Sequence, residues 1–219
     1  MLILAALRRL PQAHNSVLAG EWRKFGFRPY SHELRGKRVG IVGLGKIGRM
    51  VATHVQAFGA SVVFYDTIAL SPLDQERLRA LQLPLDELLS TSDVVTLHVP
   101  LLPSTTHLIG LRELSLMKPT AILVNTCRGS VVDEAALYEA LRTQRILAAA
   151  LDVFEAEPPG AHNPLLALDN VVLTPHNAGG TLDAEIALVR HAYANIVKVS
   201  RGEALDAADI AMPESSHRP

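Results

Sequence analysis

Apolar residues cluster along this chain in short, evenly placed runs. "RVGIVGL" (Arg38–Leu44), "SVVFYD" (Ser61–Asp66), "DVVTLHV" (Asp93–Val99), "AILVN" (Ala121–Asn125), "AAALDV" (Ala148–Val153) and "NVVLT" (Asn170–Thr174) are strand-length, and several are rich in β-branched residues. Apolar runs of this kind fit strands buried on both faces, and helix-length spacers between them fit crossover helices of a parallel sheet. The spacers predict helices over Lys46–Phe58, Leu85–Leu89, Glu134–Thr143 and Leu182–Arg201. Asp133 and Glu134 open the third of these, where carboxylates favour a helix N-terminus.

The start, "MLILAALRRLPQ", has a short apolar run followed, not preceded, by arginines, and shows no small-residue cleavage site. It reads as an amphipathic helix of the fold, not a signal peptide. Pro11 to Lys37 is irregular, with an exposed-looking Trp22. Four parts are expected: residues 1–37 as helix and connecting arm, 38–180 as the sheet domain, 181–205 as a C-terminal helix, and 206–219 as a flexible polar tail.

A glycine motif sharpens the α/β reading. "VGIVGLGKIGRM" fits G-x-G-x-x-G with Gly43, Gly45 and Gly48, after a strand and at the start of a helix. Gly43 makes the tight turn, Gly45 admits a pyrophosphate to the backbone, and Gly48 packs the helix on the strand. The helix N-terminus then offers free N–H groups to phosphate. Asp66 ends the next strand, 18 residues beyond Gly48, where an acid accepts from ribose hydroxyls and repels a 2′-phosphate. The expected fold is therefore a Rossmann-type doubly wound parallel sheet with helices on both faces, binding NAD in preference to NADP. The plainer alternative is a glycine turn kept for packing, with Asp66 a solvated strand-end acid.

Three charged groups follow later strands: Arg128 after "AILVNTC", Glu157 in "LDVFEAEPP" and His176 in "VVLTPHNAGGT". Ligands of open parallel sheets bind at the strands' carboxyl ends. Arginine matches a carboxylate, histidine exchanges a proton near neutral pH, and a neighbouring acid orients the ring. Reduction of a 2-oxo acid needs a carboxylate anchor, a proton donor and a hydride. Taken singly, a surface arginine, a turn-capping histidine and a solvated glutamate are equally ordinary readings.

Composition acts mainly by exclusion. The 219 residues are 48% hydrophobic and 20% charged, enough for a sizeable core in one large domain or two small ones. The formal net charge of −1 gives no electrostatic case for nucleic acid or an anionic membrane. No stretch approaches the roughly 18 apolar residues of a spanning helix. Cys127 is the only cysteine, so there is no internal disulfide and no CxxC metal knuckle, which fits a reducing, cytoplasmic setting. No metal is expected.

"GLGKIGR", "LHVPLLPSTTHLIG", "MKPTAILVNTCRGSVVDEAAL", "ALDVFEAEP" and "LTPHNAGGT" together resemble the NAD-binding domain of the D-isomer-specific 2-hydroxyacid dehydrogenases, the phosphoglycerate dehydrogenase-like family, from about Leu4 to Leu205. The resemblance implies a catalytic trio of Arg128 on the substrate carboxylate, His176 as proton donor and Glu157 as its partner. It implies pyrophosphate contacts at Lys46 and Ile47, a ribose acid at Asp66, and a nicotinamide side lined by Val99, Pro100, Thr126, Cys127 and Arg128. It further implies Asp152 at the carboxamide, with His176 and Gly179 also near the cofactor. Cys127 is then a backbone neighbour, not a nucleophile.

Family members carry a substrate domain, roughly a hundred residues, ahead of this one. Only about 37 residues precede the first strand here. The expected activity is interconversion of a D-2-hydroxy acid and its 2-oxo acid. A non-catalytic NAD(H)-binding module and an inactive truncated fragment are the alternatives. A homodimer, paired through Leu2–Leu10 and the Trp22 arm, is also expected.

Overall fold

The computed structural model describes residues 1–210; the remainder of the expected tail, 211–219, lies outside the described residues. Seven parallel strands form one sheet: β1 (Arg38–Val42), β2 (Ser61–Tyr65), β3 (Ala80–Gln82), β4 (Val94–Leu97), β5 (Ile122–Asn125), β6 (Ala148–Leu151) and β7 (Val171–Leu173). Their spatial order is β3-β2-β1-β4-β5-β6-β7. The chain therefore winds outward from β1 to β3, returns to the other side of β1, and winds outward again. This is the doubly wound arrangement, and its direction reverses between β1 and β4.

Helices cover both faces. α1 (Leu2–Leu7) and α3 (Lys46–Ala57) pack on one, where Val39, Ile41, Ile122, Val124, Ala148 and Ala150 point. α5 (Leu85–Thr91), α6 (Leu111–Leu116) and α7 (Glu134–Arg142) cover the other, where Val42, Val95, Leu123, Ala149 and Leu151 point. Successive strand residues thus serve opposite cores, as the two-residue strand period requires. Both sets are apolar, which explains why the strands read as continuous runs. Full burial of each such leucine or isoleucine stabilises the fold by about 1.5–3 kcal/mol.

The structure departs from the sequence pattern in three places. The expected strands lose one to three terminal residues, which turn into the loops at the sheet's ends. β3, with α2 (Leu10–Leu18), α4 (Pro72–Leu78) and α6, was not among the expected elements; β3 has only three residues and depends on pairing with Val62, Val63 and Phe64. The helix expected over Leu2–Leu10 breaks at Arg9, which adopts left-handed φ of 50° before α2 begins. Pro11 explains the break: it has no N–H, and its ring would strike the carbonyl four residues back in a continuous helix. Leu2, Ala5, Ala6 and Leu7 are buried against the sheet. Exposed apolar surface at this end lies instead on Val17, Leu18, Trp22 and Phe25.

Met1–His176 forms one compact unit, and the described residues from Asn177 onward form a second. In the second, α8 (Leu182–Ser200) is followed by a short 3₁₀ turn, Ala207–Asp209. Lys198 pairs with Asp206 at 3.3 Å and His191 with Asp209 at 2.8 Å, so residues 206–210 are tied back to α8. No helix among the described residues is long and apolar enough to cross a membrane.

Candidate active site

The point where the winding reverses brings the loops after β1 and β4 together. Gly43 sits there with φ of +91°, and a Cβ on it would lie 2.6 Å from the carbonyl oxygen of His98. Both facts require glycine. A Cβ on Gly48 would lie 2.3 Å from the carbonyl oxygen of Gly43, so α3 rests directly on the turn. Gly45 is different: nothing lies within 4 Å of where its Cβ would be. It is the N-cap of α3, and no side chain closes that helix start. Lys46 and Ile47 are exposed beside it. An open, uncapped helix N-terminus of this kind fits a pyrophosphate.

Asp66 follows β2 at the neighbouring position. Its Oδ2 accepts from the backbone N–H of Leu44 at 2.7 Å and its Oδ1 from that of Ile68 at 3.0 Å. The carboxylate is therefore held by the glycine turn itself, and its remaining lone pairs can receive ribose hydroxyls. Thr67 and Ile68, not arginine, follow it. These residues fit NAD on both counts.

Val99 and Pro100 follow His98 in the loop after β4, and Thr126, Cys127 and Arg128 begin the loop after β5. The backbone of Val99 hydrogen-bonds Cys127, so the two loops touch. Burial pushes the Cys127 thiol up, which disfavours a thiolate nucleophile. Buried Asn125 shapes this loop: its Nδ2 donates to the Arg128 carbonyl at 2.8 Å, and its Oδ1 accepts from the Cys127 N–H at 3.1 Å. Arg128 is exposed and its guanidinium donates to the Cys127 carbonyl.

Asp152 is buried at the end of β6, where its carboxylate accepts from the Thr174 hydroxyl. The His176 N–H donates to the Asp152 carbonyl at 2.8 Å, which fastens the loop after β7 to that after β6. His176 itself has φ of 51°, and its Nδ1 lies 2.7 Å from Oε2 of Glu157. The other carboxylate oxygen, Oε1, accepts from the Phe154 N–H at 3.0 Å. His176 beside it, and then the Phe154 N–H, hold the Glu157 carboxyl below the usual range. Gly179 belongs to the second compact unit, in the turn before α8.

The structure thus brings the glycine turn, Asp66 and the loops bearing Val99, Cys127, Arg128, Asp152, Glu157 and His176 to the carboxyl edge of one sheet. The sequence reading missed Asn125, Thr174 and His98. A polar residue closing a buried strand was the available signal for Asn125. His98 is largely enclosed, and its Nε2 lies 3.0 Å from the Thr96 hydroxyl. Burial pushes it down to about 4. Among the described residues no acidic, histidine and cysteine cluster could hold a metal.

Residues 1–178 match the family model described as D-isomer specific 2-hydroxyacid dehydrogenase, NAD binding domain. The chain belongs to this family. It is 46% identical over 202 residues to D-3-phosphoglycerate dehydrogenase of Methanocaldococcus jannaschii, covering 92% of this chain and 38% of the relative. It is 45% identical over 207 residues to glyoxylate reductase of Aeropyrum pernix, covering 92% and 62%. Among solved structures, D-lactate dehydrogenase from Aquifex aeolicus, complexed with NAD and lactic acid, superposes with a TM-score of 0.80 at 32% identity, covering 92% of this chain and 64% of that one. This dehydrogenase-family chain therefore contains an NAD-binding domain and spans 38–62% of the length of these curated relatives.

Proposed function

We propose that this chain takes part in NAD-dependent interconversion of a D-2-hydroxy acid and its 2-oxo acid. The observation that carries the proposal is the His176–Glu157 pair at 2.7 Å, at the same sheet edge as Arg128 and the glycine turn. In the reducing direction Arg128 anchors the substrate carboxylate through its planar fork. With Nδ1 held by Glu157, proton exchange falls to Nε2 of His176, which gives a proton to the oxygen that develops negative charge. Glu157 keeps the ring oriented and stabilises its charged form. The hydride comes from bound NADH. Lys46, Ile47, Gly45 and Asp66 hold the pyrophosphate and ribose. Val99, Pro100, Thr126, Cys127 and Asp152 complete the nicotinamide side.

A second reading is a non-catalytic NAD(H)-binding module, favoured by one observation: the open helix start at Gly45 and the Asp66 carboxylate held by the Leu44 N–H are built without Arg128, Glu157 or His176. Pairing of two copies is also proposed. Its contact is α2 with the Trp22 arm, because α1 is already buried; an adjacent groove of about 750 Å³ is lined by Arg9, Phe27, Tyr30, Leu147 and Leu168. We place the protein in the cytoplasm, as the lone cysteine favours.

The deciding experiment mixes the chain with NADH and hydroxypyruvate, glyoxylate or pyruvate and follows NADH absorbance. Loss that disappears in His176→Ala and Arg128→Ala supports the dehydrogenase. NADH binding without loss supports the module.

A further inference from the structure

Arg128 and Glu157 lie on different loops, and both side chains are exposed. Something must hold those loops in register if the two groups are to serve one substrate. The loops meet backbone to backbone at Gly129, where a Cβ would lie 1.9 Å from the carbonyl carbon and oxygen of Phe154. Beside this contact lies a group of side chains with no part in the chemistry proposed above. Oε1 of Glu155 accepts from the Glu134 N–H, at the first residue of α7, at 3.1 Å. The Glu155 N–H donates in return to Oε1 of Glu134 at 2.5 Å. Asn163 Nδ2 donates to the other oxygen of Glu134 at 2.9 Å. His107 Nε2 lies 3.1 Å from Oε1 of Glu155, and the His107 N–H donates to the Ser130 carbonyl at 2.8 Å.

We infer that Glu155 is a positioning residue: with Glu134 and His107 it clasps the loop carrying Glu157 onto the loop carrying Arg128, and so fixes the proton relay relative to the carboxylate anchor. This rests on the catalytic reading above. The reciprocal carboxylate–amide pair has the logic of a capping box, with the two halves 21 residues apart in sequence. It satisfies an otherwise orphan N–H of α7 and places a negative charge at that helix's N-terminus. An exposed His–Glu ion pair alone would contribute little. Here His107 adds a third loop, because its backbone is already bonded to Ser130 in the Arg128 loop. Glu155 is two residues from Glu157 and one from Phe154, whose N–H holds the Glu157 carboxylate. Release of Glu155 therefore frees the short segment on which Glu157 is aimed.

The test follows the Glu157 carboxyl by carbon NMR titration in the full chain, with Glu157→Gln to assign the signal. His176→Ala provides the midpoint of Glu157 without its partner. Glu155→Ala is expected to raise the midpoint toward that of His176→Ala, and His107→Ala to raise it part of the way. Glu155→Gln, which keeps the acceptor oxygen, is expected to stay at the wild-type midpoint. A folded Glu155→Ala with an unmoved Glu157 midpoint overturns the inference, as does Glu155→Gln behaving like the alanine variant. If Glu155→Ala fails to fold, an unmoved midpoint in His107→Ala overturns it. None of these readings needs turnover. A wild-type chain inert toward every 2-oxo acid sinks the catalytic reading while a moved midpoint still upholds the clasp; turnover with an unmoved midpoint does the reverse.

Discussion

Glu157 has both carboxylate oxygens engaged: Oε2 lies 2.7 Å from Nδ1 of His176, and Oε1 receives the Phe154 N–H at 3.0 Å. The acid is thus aimed by its own loop and aims the histidine in turn. Glu157→Gln keeps the shape and removes the charge that stabilises a protonated ring. If the chain turns over, this variant is expected to lose about 10²-fold in kcat with KM little changed, a typical scale for impaired acid–base catalysis. Steady-state NADH oxidation at saturating 2-oxo acid checks it; an unchanged kcat removes Glu157 from the relay.

Gly129 is held to glycine by contact, not by its backbone angles. A Cβ there would meet the Phe154 carbonyl at 1.9 Å, and backbone cannot swing aside as a flexible side chain can. Gly129→Ala is expected to destabilise the fold by about 1–3 kcal/mol, the usual cost of overpacking. A lower urea midpoint at unchanged slope is the expected sign. Gly45→Ala, with open space around it, should leave the midpoint nearly unmoved.

Asp66 is pinned by the Leu44 and Ile68 N–H groups, so its alanine variant loses a preorganised acceptor for the ribose. Hydrogen bonds to a charged group contribute about 1.5–3 kcal/mol, and Asp66→Ala should weaken NADH binding by roughly 10- to 100-fold. NADPH, no longer repelled, should lose less. Fluorescence titration with both dinucleotides compares the two losses; equal losses would argue that Asp66 does not discriminate.

His98 makes stability depend on pH. Burial pushes it from 6.5 down to about 4 in the folded chain. Between those values the unfolded chain binds a proton that the folded chain does not, so stability rises with pH across this window. About 3 kcal/mol is therefore expected to be lost as pH falls from 6.5 to 4, at about 1.4 kcal/mol per unit. Urea unfolding at several pH values reads this directly. His98→Gln should flatten that part of the profile, and an unchanged slope would show that another group carries it.

Much of the candidate site was legible because its residues stand in fixed relation to strand ends. Once β1, β2, β5, β6 and β7 are recognised as parallel strands, Gly43, Asp66, Arg128, Glu157 and His176 fall at one edge by chain direction alone. Gly43 and Gly48 were legible for a related reason, since the positive φ of Gly43 and the contact of Gly48 with the Gly43 carbonyl arise within one strand–turn–helix unit; the approach of His98 to Gly43, from the loop after β4, was not. His98, Asn125 and Glu155 were not, because their partners lie on other loops or depend on enclosure.

The sequence by itself determined the strand and helix alternation, the two-sided burial of the sheet and the cofactor turn, all set by side-chain period and local backbone geometry. Only the tertiary structure decided that Leu2–Leu7 is spent on the sheet, that β3 completes its edge, and that Gly129 seats the Arg128 loop on Phe154. Each of those depends on a surface supplied by residues distant in the chain. A three-residue strand or a close backbone approach carries no periodic signal until its partner is in place.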